Sequence, residues 1–442
     1  MDIFSMFSAL GGSVTTFLAF VVALSVIVSV HEYGHYIVGR WSGIDAEVFS
    51  LGFGPVVFSW VDKRGTRWQL AALPFGGYVK FVGDANAASV GSDAEVEPAR
   101  NTMEGAPLWA RSATVSAGPI FNFVLSILIF AGIAMFNGSA KEPLTVGEIN
   151  NVPYEVDLQP GDEVLEIGGI KVPTRDDDLT FDQLLRELPV QSNVDYLLRR
   201  NGEEMIVTTA HPMPAVVVQL APQSAAYESG FRPGDVITHV NGKPILAFLQ
   251  LQEAVLAAEG APLPLTVWRD GEVMDFTLSA KRVDEPQPDG GFETNWRIGI
   301  VGGMLFRPGT EALSFGQAMN AGVNMTWSII SGSFSGLYHM ASGAISSCNM
   351  SGPLGIAQVS GAMARQGLEN FVYFIGILST AVGLLNLFPI PVLDGGHLTF
   401  YAYEAVTRRK PSPRALKFLM TAGLTVILSL TVFALTNDLF CP

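Results

Sequence analysis

The stretch TTFLAFVVALSVIVSVHEYGHYIVGR, from Thr15 to Arg40, is the part of the sequence that decides the fold. It carries no charge before Glu32 and is long enough to cross about 30 Å of hydrocarbon. No Lys or Arg precedes it and no small-residue cleavage site ends it, which favours a transmembrane helix over a signal peptide. We therefore expect the segment to be retained as the first membrane span.

The composition of the whole chain is that of a membrane protein. Of its 442 residues, 49% are hydrophobic and only 15% are charged. Three further stretches are long and apolar enough to span a bilayer, at roughly 113–136, 371–393 and 415–436. The sequence thus predicts a polytopic α-helical membrane protein with about four spans. Its net charge of -15 argues against a nucleic-acid partner.

The distribution of Lys and Arg predicts the orientation. These residues are concentrated in the connections after the first and third spans, at 40–112 and 396–417, which should face the cytoplasm. Both termini, and the large polar region between the second and third spans, should then lie outside. Cys348 and Cys441 both fall on the predicted outer side, where a disulfide is chemically possible, and the sequence leaves their pairing open.

The polar region contains an internal repeat. LQPGDEVLEIGGIKV begins at Leu158 and FRPGDVITHVNGKPI begins at Phe231, an offset of 73 residues. Each copy is followed by a tight-turn signal, Asn-Gly at 201–202 and Asp-Gly at 270–271, so two β-rich modules are expected. The pattern resembles the PDZ domain, which binds extended peptides by adding them to a sheet edge. Whether both modules bind peptide or only exclude large substrates stays open.

A second β element is predicted directly after the first span. Residues 46–82 alternate apolar and polar positions around a charged turn at 62–66, which is typical of a β-hairpin. Its density of Phe, Trp, Val and Gly favours a hairpin at or within the membrane surface. The acidic stretch from Asp84 to Glu104 that follows is expected to be a flexible linker.

The first span carries the residues of a metal site. His31 and His35 are four residues apart, so on a helix both imidazoles project from one face about one turn apart. With Glu32 they form H-E-x-x-H, in which two histidines bind zinc and the glutamate acts as general base on water. Ionisable residues in a membrane span are costly and are therefore functional candidates.

A hydrolytic zinc site needs a third protein ligand. The third span ends NLFPIPVLDGGH, residues 386–397, where two prolines break the helix before Asp394. Since the first and third spans both run inward, Asp394 should lie at a similar depth to His31 and His35. We predict Asp394 as the third ligand, and His397 is a less favoured fourth.

Together these motifs resemble the site-two protease family of intramembrane zinc metalloproteases, and within it the bacterial regulator-of-sigma-E proteases most closely. Further stretches carry the resemblance: GPIFN at 118–122, PFGGYVK at 74–80 and SGPLGI at 351–356. The resemblance implies one Zn²⁺ per chain held by the two histidines and Asp394, with Glu32 as catalytic base. It associates Asn386, Pro389 and Pro391 with substrate handling.

The resemblance also implies a biological setting. A protein of this kind would be a bacterial inner membrane protease that cleaves single-span membrane proteins within or near the bilayer. Its substrates would be an anti-sigma factor in an envelope stress response and also signal-peptide remnants. The PDZ-like pair would act as a size filter. From bilayer physics we add the hypothesis that an edge of the 46–82 hairpin pairs with unwound substrate, with Gly52 and Gly54 permitting close backbone approach.

Two rival functions fit parts of this sequence. A catalytically inactive peptide-binding scaffold would not need Glu32. A metal transporter should carry further ionisable residues in its second and fourth spans, which offer only Lys417, at the start of the fourth.

The predicted organisation comprises nine segments. They are 1–40, first span; 41–112, hairpin and linker; 113–138, second span; 139–212 and 213–285, PDZ-like modules; 286–369, linker and interfacial helix (311–345, alternatively a fifth span); 370–395, third span; 396–414, cytoplasmic loop; and 415–442, fourth span and C-terminus.

Overall fold

The computed structural model describes residues 3–83, 99–174, 180–287 and 291–441. The chain divides into two compact units. The helical unit comprises Met1–Ile133, Gly316–Tyr338 and Ser347–Cys441, and the β-rich unit comprises Ala134–Phe315 and His339–Ser346. Most of the predicted acidic linker lies outside the described residues.

The described residues form ten α-helices and eighteen strands. The helices are α1 Ile3–Trp41, α2 Leu108–Asn137, α3 Phe181–Glu187, α4 Ala225–Glu228, α5 Phe248–Ala258, α6 Phe315–Ala341, α7 Pro353–Arg365, α8 Leu368–Asn386, α9 Asp394–Thr407 and α10 Pro413–Phe440. The strands are β1 Ala46–Val61, β2 Arg67–Phe81, β3 Ser139–Ala140, β4 Val146–Ile149, β5 Glu163–Ile167, β6 Ile170–Lys171, β7 Val194–Arg200, β8 Glu203–Thr209, β9 Val216–Leu220, β10 Val236–Val240, β11 Lys243–Pro244, β12 Leu263–Arg269, β13 Glu272–Leu278, β14 Lys281–Pro286, β15 Phe292–Arg297, β16 Ile300–Gly303, β17 Phe306–Pro308 and β18 Thr310–Glu311.

Four helices in the described part of the chain are long and apolar enough to cross a membrane. They are Ser13–Trp41 of α1, Leu108–Asn137, Leu368–Asn386 and Pro413–Phe440, which confirms the four predicted spans. The third ends at Asn386, earlier than the predicted 395, because Pro389 and Pro391 lack the backbone N–H that a continuing helix requires. Helix α6 is not among the four, and its interfacial placement stays a prediction.

The predicted hairpin is confirmed, and each of its strands bends in the middle. The first half of β1 lies between the two halves of β2, since Val48 pairs with both Lys80 and Arg67. The second half of β1 continues along the outer side, where Val61 pairs with Arg67. The result is a four-segment sheet in the order 56–61, 67–71, 46–51 and 77–81, in which 46–51 runs parallel to 67–71 and the other neighbours are antiparallel. Gly52, at φ 88°, turns β1 between its halves.

Small residues bring α1, α2 and α8 close together. A Cβ at Gly34 of α1 would lie 2.6 Å from Ala117 O of α2. A Cβ at Gly383 of α8 would lie 3.1 Å from both Asn122 Cβ and Pro119 O of α2. Glycine at such positions lets membrane helices pack backbone against backbone. Helix α2 therefore touches both helices that lead to the predicted ligands.

The β-rich unit contains the two predicted repeats. The first forms a four-stranded antiparallel sheet in the order β6-β5-β7-β8, and the second a sheet in the order β13-β12-β10-β9-β16, with β11 beside β10. Each has its own buried core, around Tyr196 in the first and Leu265 in the second. The segment after 286, expected to be a linker, supplies strands to both repeats: β16 pairs with β9, and β17 pairs with β4.

The C-terminal end of α10 is fastened to the start of α7 within the helical unit. Cys348 and Cys441 form a disulfide, the pairing that the sequence left open. The Asp438 carboxylate accepts hydrogen bonds from the backbone N–H groups of Gly352 and Gly355 at 2.8 and 2.9 Å. Covalent and polar contacts thus hold the SGPLGI segment against the last span.

Candidate metal centre

Helix α1 presents His31 and His35 on one buried face. His31 is only 8% exposed and His35 only 9%, and the centroids of the two rings are 4.7 Å apart. The two Nε2 atoms lie 3.1 Å from each other. The i, i+4 spacing predicted this arrangement, because one helical turn separates the two side chains.

Asp394, from the C-terminal part of the chain, lies beside the Nε2 atoms of the two histidines. It is the first residue of α9, which follows the proline-containing loop after α8. Asp394 Oδ2 lies 3.1 Å from His31 Nε2 and 3.4 Å from His35 Nε2. The sharp turn depends on the glycines that follow, since a Cβ at Gly395 would collide with the carbonyl oxygens of Leu387 and Phe388.

The three donor atoms fit a tetrahedral zinc ion. They lie within 4.8 Å of one another, and donors bonded to Zn²⁺ at about 2.0–2.2 Å are themselves about 3.3 Å apart in a tetrahedron. Asp394 Oδ2 is buried without a hydrogen-bond partner among the described residues. A cation would satisfy that oxygen and both nitrogen lone pairs at once. Two His and one Asp leave a fourth position open for water or substrate.

Helix α2 contacts both imidazoles. His35 Nδ1 lies 2.9 Å from Thr114 O. Because a carbonyl oxygen only accepts, this nitrogen must carry the hydrogen, which leaves the His35 Nε2 lone pair free for a metal. The Asn122 side-chain amide lies 3.2 Å from His31 Nδ1.

The hairpin supplies the surroundings of Glu32. The backbone N–H of Val79 in β2 donates a hydrogen bond to the Glu32 carboxylate. A Cβ at Gly77 would lie 3.3 Å from Glu32 Cγ, so β2 passes directly beside the glutamate. Glu32 is adjacent to His31 in sequence, and the sheet holds its carboxylate at the site that the two histidines define.

The remaining predicted site residues lie in two places. Asn386 is the last residue of α8 and is half-buried, and its side chain makes no hydrogen bond to any residue that the structure describes. Pro389 is exposed, and Pro391 packs 2.9 Å from where a Cβ on Gly423 of α10 would stand. Gly52 and Gly54 both lie at the bend of β1, where a Cβ at Gly52 would already lie 2.7 Å from Leu73 O. Their proposed contact with substrate stays a prediction.

An ion pair that sequence reasoning missed connects α2 to α9. Arg111 Nη1 and Nη2 donate to the two carboxylate oxygens of Glu404 at 3.0 and 2.7 Å. The Arg111 guanidinium also lies over the Tyr401 ring, 5.1 Å from its centroid. The pair fixes α9, whose first residue is Asp394. In the sequence, Arg111 at the start of the second span contributes only to the predicted charge asymmetry, so no signal pointed to its partner.

The roles of Gly118 and Asn122 were also missed. A Cβ at Gly118 would collide with His35 Nε2 and stand 2.8 Å from His31 Cε1. GPIFN was noted for its resemblance alone, although a fully buried Asn in an apolar span is itself a functional signal. The contact between Asn122 and His31 crosses 91 positions of sequence, which spacing cannot reveal.

Comparisons with known proteins place this chain in a family. The model of peptidase family M50 matches residues 19–430. A protein of Rhizobium meliloti (strain 1021) named "Putative zinc metalloprotease R01501" is 35% identical over 432 residues, which cover 96% of each chain. The Metalloprotease MmpA of Caulobacter vibrioides is 31% identical over 445 residues, covering 94% of this chain and 93% of its own.

Proposed function

The chain belongs to peptidase family M50 and is a zinc metalloprotease of the site-two type, and from this premise we propose that it cleaves single-span membrane proteins within or near the bilayer. Its four apolar helices make it a multi-pass membrane protein. The substrates accessible to such an enzyme are membrane-bound.

The convergence of His31, His35 and Asp394 carries the proposal. Two of these residues lie on a membrane-spanning helix and the third follows another, and their donor atoms meet within 4.8 Å. We assign the zinc ion to these three ligands. Because two of the ligands lie on a candidate membrane span and the third follows another, we infer that the reaction takes place at membrane depth.

Each catalytic group then has one task. Zinc at this site supplies Lewis-acid polarisation of the scissile carbonyl and activation of water. Glu32 accepts a proton from the attacking water and delivers it to the leaving amine nitrogen. The Val79 N–H holds the Glu32 carboxylate in place for both transfers.

Substrate binding must replace the hydrogen bonds of a membrane helix. Exposing the N–H and C=O groups of an unwound segment to lipid costs several kcal/mol per group, roughly as for any unpaired amide. We assign their replacement to the hairpin, whose backbone can pair with an extended strand, and to the free amide of Asn386. Gly52 and Gly54 shape the bend of that sheet, and Pro389 and Pro391 keep the adjacent loop non-helical.

The two β repeats are proposed to be extracytoplasmic PDZ-like modules. The PGD repeat supports this. Strand β16 also supports it, because it is the last strand of the second sheet and has no further strand beside it in the described residues, so a peptide could be added at that edge. The disulfide between Cys348 and Cys441 supports an outer position for the end of α10, because disulfides persist in oxidising compartments. We assign the chain to the bacterial inner membrane, as the resemblance to bacterial site-two proteases implies.

Comparison of wild type with Glu32→Gln tests the proteolytic assignment. A model single-span substrate is incubated with each purified protein in detergent, and bound zinc is measured in both. We expect cleavage to be lost and zinc to be retained in the variant. Glu187→Gln, an exposed change in α3, serves as the matched control and should cleave normally. Equal cleavage by Glu32→Gln would overturn the assignment.

The substrate class is tested in cells. We propose an anti-sigma factor of an envelope stress response as the principal substrate and signal-peptide remnants as further ones. A strain carrying only Glu32→Gln should accumulate the membrane-bound fragment of the anti-sigma factor that remains after its outer domain is removed. Complete turnover of that fragment in the variant strain would exclude this substrate without touching the protease assignment.

A further inference from the structure

We propose that Asn122 is a positioning residue for the zinc ligand His31, and that it acts through its side-chain oxygen. The inference rests on the proposed ligand set. In the zinc-loaded enzyme, Asn122 Oδ1 accepts the hydrogen of His31 Nδ1 and so fixes the imidazole with Nε2 directed at the metal.

The hydrogen balance of His31 requires such an acceptor. Its Nε2 faces Asp394 Oδ2 at 3.1 Å and His35 Nε2 at 3.1 Å, so Nε2 is the atom that a metal would bind. A neutral imidazole that binds metal through Nε2 carries its hydrogen on Nδ1. The Asn122 amide, 3.2 Å away, is the only group among the described residues within hydrogen-bond distance of this nitrogen.

One end of the Asn122 amide has no partner. The residue is completely buried, and its Oδ1 makes no hydrogen bond to any described residue. In the observed orientation Nδ2 faces His31 Nδ1. A half-turn of the carboxamide exchanges the two atoms and places the unpartnered oxygen against Nδ1–H. Metal-bound histidines usually donate their second N–H to an oxygen of this kind.

The backbone of Asn122 is held firmly enough for this role. Its carbonyl oxygen accepts hydrogen bonds from Ser126 Oγ at 3.0 Å and from Ser379 Oγ of α8 at 2.9 Å. Gly383 lets α8 approach to 3.1 Å from Asn122 Cβ. The amide therefore projects from a point fixed by two helices. Thr114 O accepts the hydrogen of His35 Nδ1 in the same way, so α2 orients both histidines of α1.

Three variants with zinc affinity as the readout test the inference. Asn122→Leu keeps the approximate shape and removes the acceptor, whereas Asn122→Asp keeps an acceptor whichever way its carboxylate turns. Ser116→Ala removes a side-chain hydrogen bond to Ala113 O on the same helix and is the matched control. All are made in a Glu32→Gln background, and bound zinc is measured by mass spectrometry across a series of chelator-buffered free zinc concentrations.

We expect Asn122→Leu to bind zinc about 10- to 100-fold more weakly, the usual loss when a group that orients a ligand is removed. Asn122→Asp should stay within about threefold of the parent and Ser116→Ala should be unchanged. Equal losses in Asn122→Leu and Asn122→Asp would overturn the inference, because they would assign the role to the NH₂ group or to packing. Unchanged affinity in Asn122→Leu would also overturn it.

Two further measurements keep the result interpretable. Thermal unfolding in detergent shows whether Asn122→Leu is folded. If it is not, the zinc affinities of Asn122→Asp and Asn122→Ser are compared instead, because only the Asp carboxylate keeps an acceptor at the same distance from the backbone. His31→Ala should lose zinc altogether. Zinc retained in His31→Ala would refute the ligand set itself, whereas failure of the Asn122 inference would leave that loss intact.

Discussion

At the scale of single residues, Gly118 sets how closely α2 can approach the two imidazoles. Its Cα stands where any side chain would press on His35 Nε2 and His31 Cε1. Both atoms belong to rings whose orientation the metal site requires. The glycine is needed for the space that it leaves and not for an unusual backbone angle, since its backbone is helical.

We predict that Gly118→Ala lowers zinc affinity by about tenfold or more, which is the equivalent of 1–3 kcal/mol of overpacking. Cleavage should fall with it. Gly132→Ala on the same helix is the control, because a Cβ there meets nothing within 4 Å and should be neutral or slightly stabilising. Equal zinc binding in the two variants would contradict this account of Gly118.

A second residue-scale prediction concerns Asn386. Because its amide has no partner among the described residues, Asn386→Leu should not lower the melting temperature or the zinc content. It should reduce kcat/KM by about tenfold, the value of one or two backbone hydrogen bonds to substrate. Steady-state cleavage, zinc analysis and thermal unfolding measure the three quantities. A clear loss of stability with unchanged kcat/KM would show instead that Asn386 joins helices.

At the scale of elements, the parts of the site that could be predicted are those that depend on residues close together in the sequence. The face shared by His31 and His35 follows from helical spacing, and the break before Asp394 follows from Pro389 and Pro391. The meeting of α1 with Asp394 could be inferred only from membrane depth. The contacts of α2 could not be predicted, because Thr114 acts through its backbone and Asn122 through a distant pairing.

The strands β16 to β18 show a similar limit. They are two to four residues long, too short for any alternation of apolar and polar residues to appear. The sequence therefore indicated a linker after residue 286. Their places beside β9, β4 and β3 come from pairing with strands far back in the chain, which local patterns do not encode.

The ion pair between α2 and α9 gives a prediction with a pH dependence. The Arg111 guanidinium, hydrogen-bonded to Glu404, lowers the pKa of that carboxyl. A lowered pKa contributes stability above the unfolded value of about 4.3, and this stability is lost as pH falls through the folded pKa. Wild type should therefore lose stability on acidification in part through this pair.

Glu404→Gln tests that contribution. Breaking one partner of a largely buried ion pair should cost about 3 kcal/mol at neutral pH, and the difference from wild type should shrink below about pH 4. Thermal unfolding in detergent across pH measures it. Glu104→Gln, which breaks the exposed pair with Lys410, should have little effect. A Glu404→Gln penalty that does not change with pH would show that packing, and not charge, holds α9.

At the scale of the whole molecule, the disulfide between Cys348 and Cys441 closes a loop that contains α7, α8, α9 and α10. The loop therefore includes two spans and Asp394. Replacing both cysteines with serine should lower the free energy of unfolding by about 2–4 kcal/mol. Wild type in reductant should match the double variant in a thermal scan, and an unchanged melting temperature in both would show that the Asp438 contacts suffice.

The same disulfide allows the orientation of the chain to be tested, because it can form only where both cysteines face an oxidising compartment. In intact cells we expect a membrane-impermeant maleimide to leave the protein unlabelled until reductant is added, and then to label both cysteines. Arg409→Cys in a chain with Cys348 and Cys441 replaced by serine is the control, since the predicted cytoplasmic loop should react only after permeabilisation. Two results together would show the opposite topology. One is labelling of Arg409→Cys in intact cells, and the other is labelling of Cys348 and Cys441 in the wild-type chain only after the membrane is permeabilised. The zinc ligands would then lie toward the outer face, and the positive charges near residue 410 would belong to an outer loop.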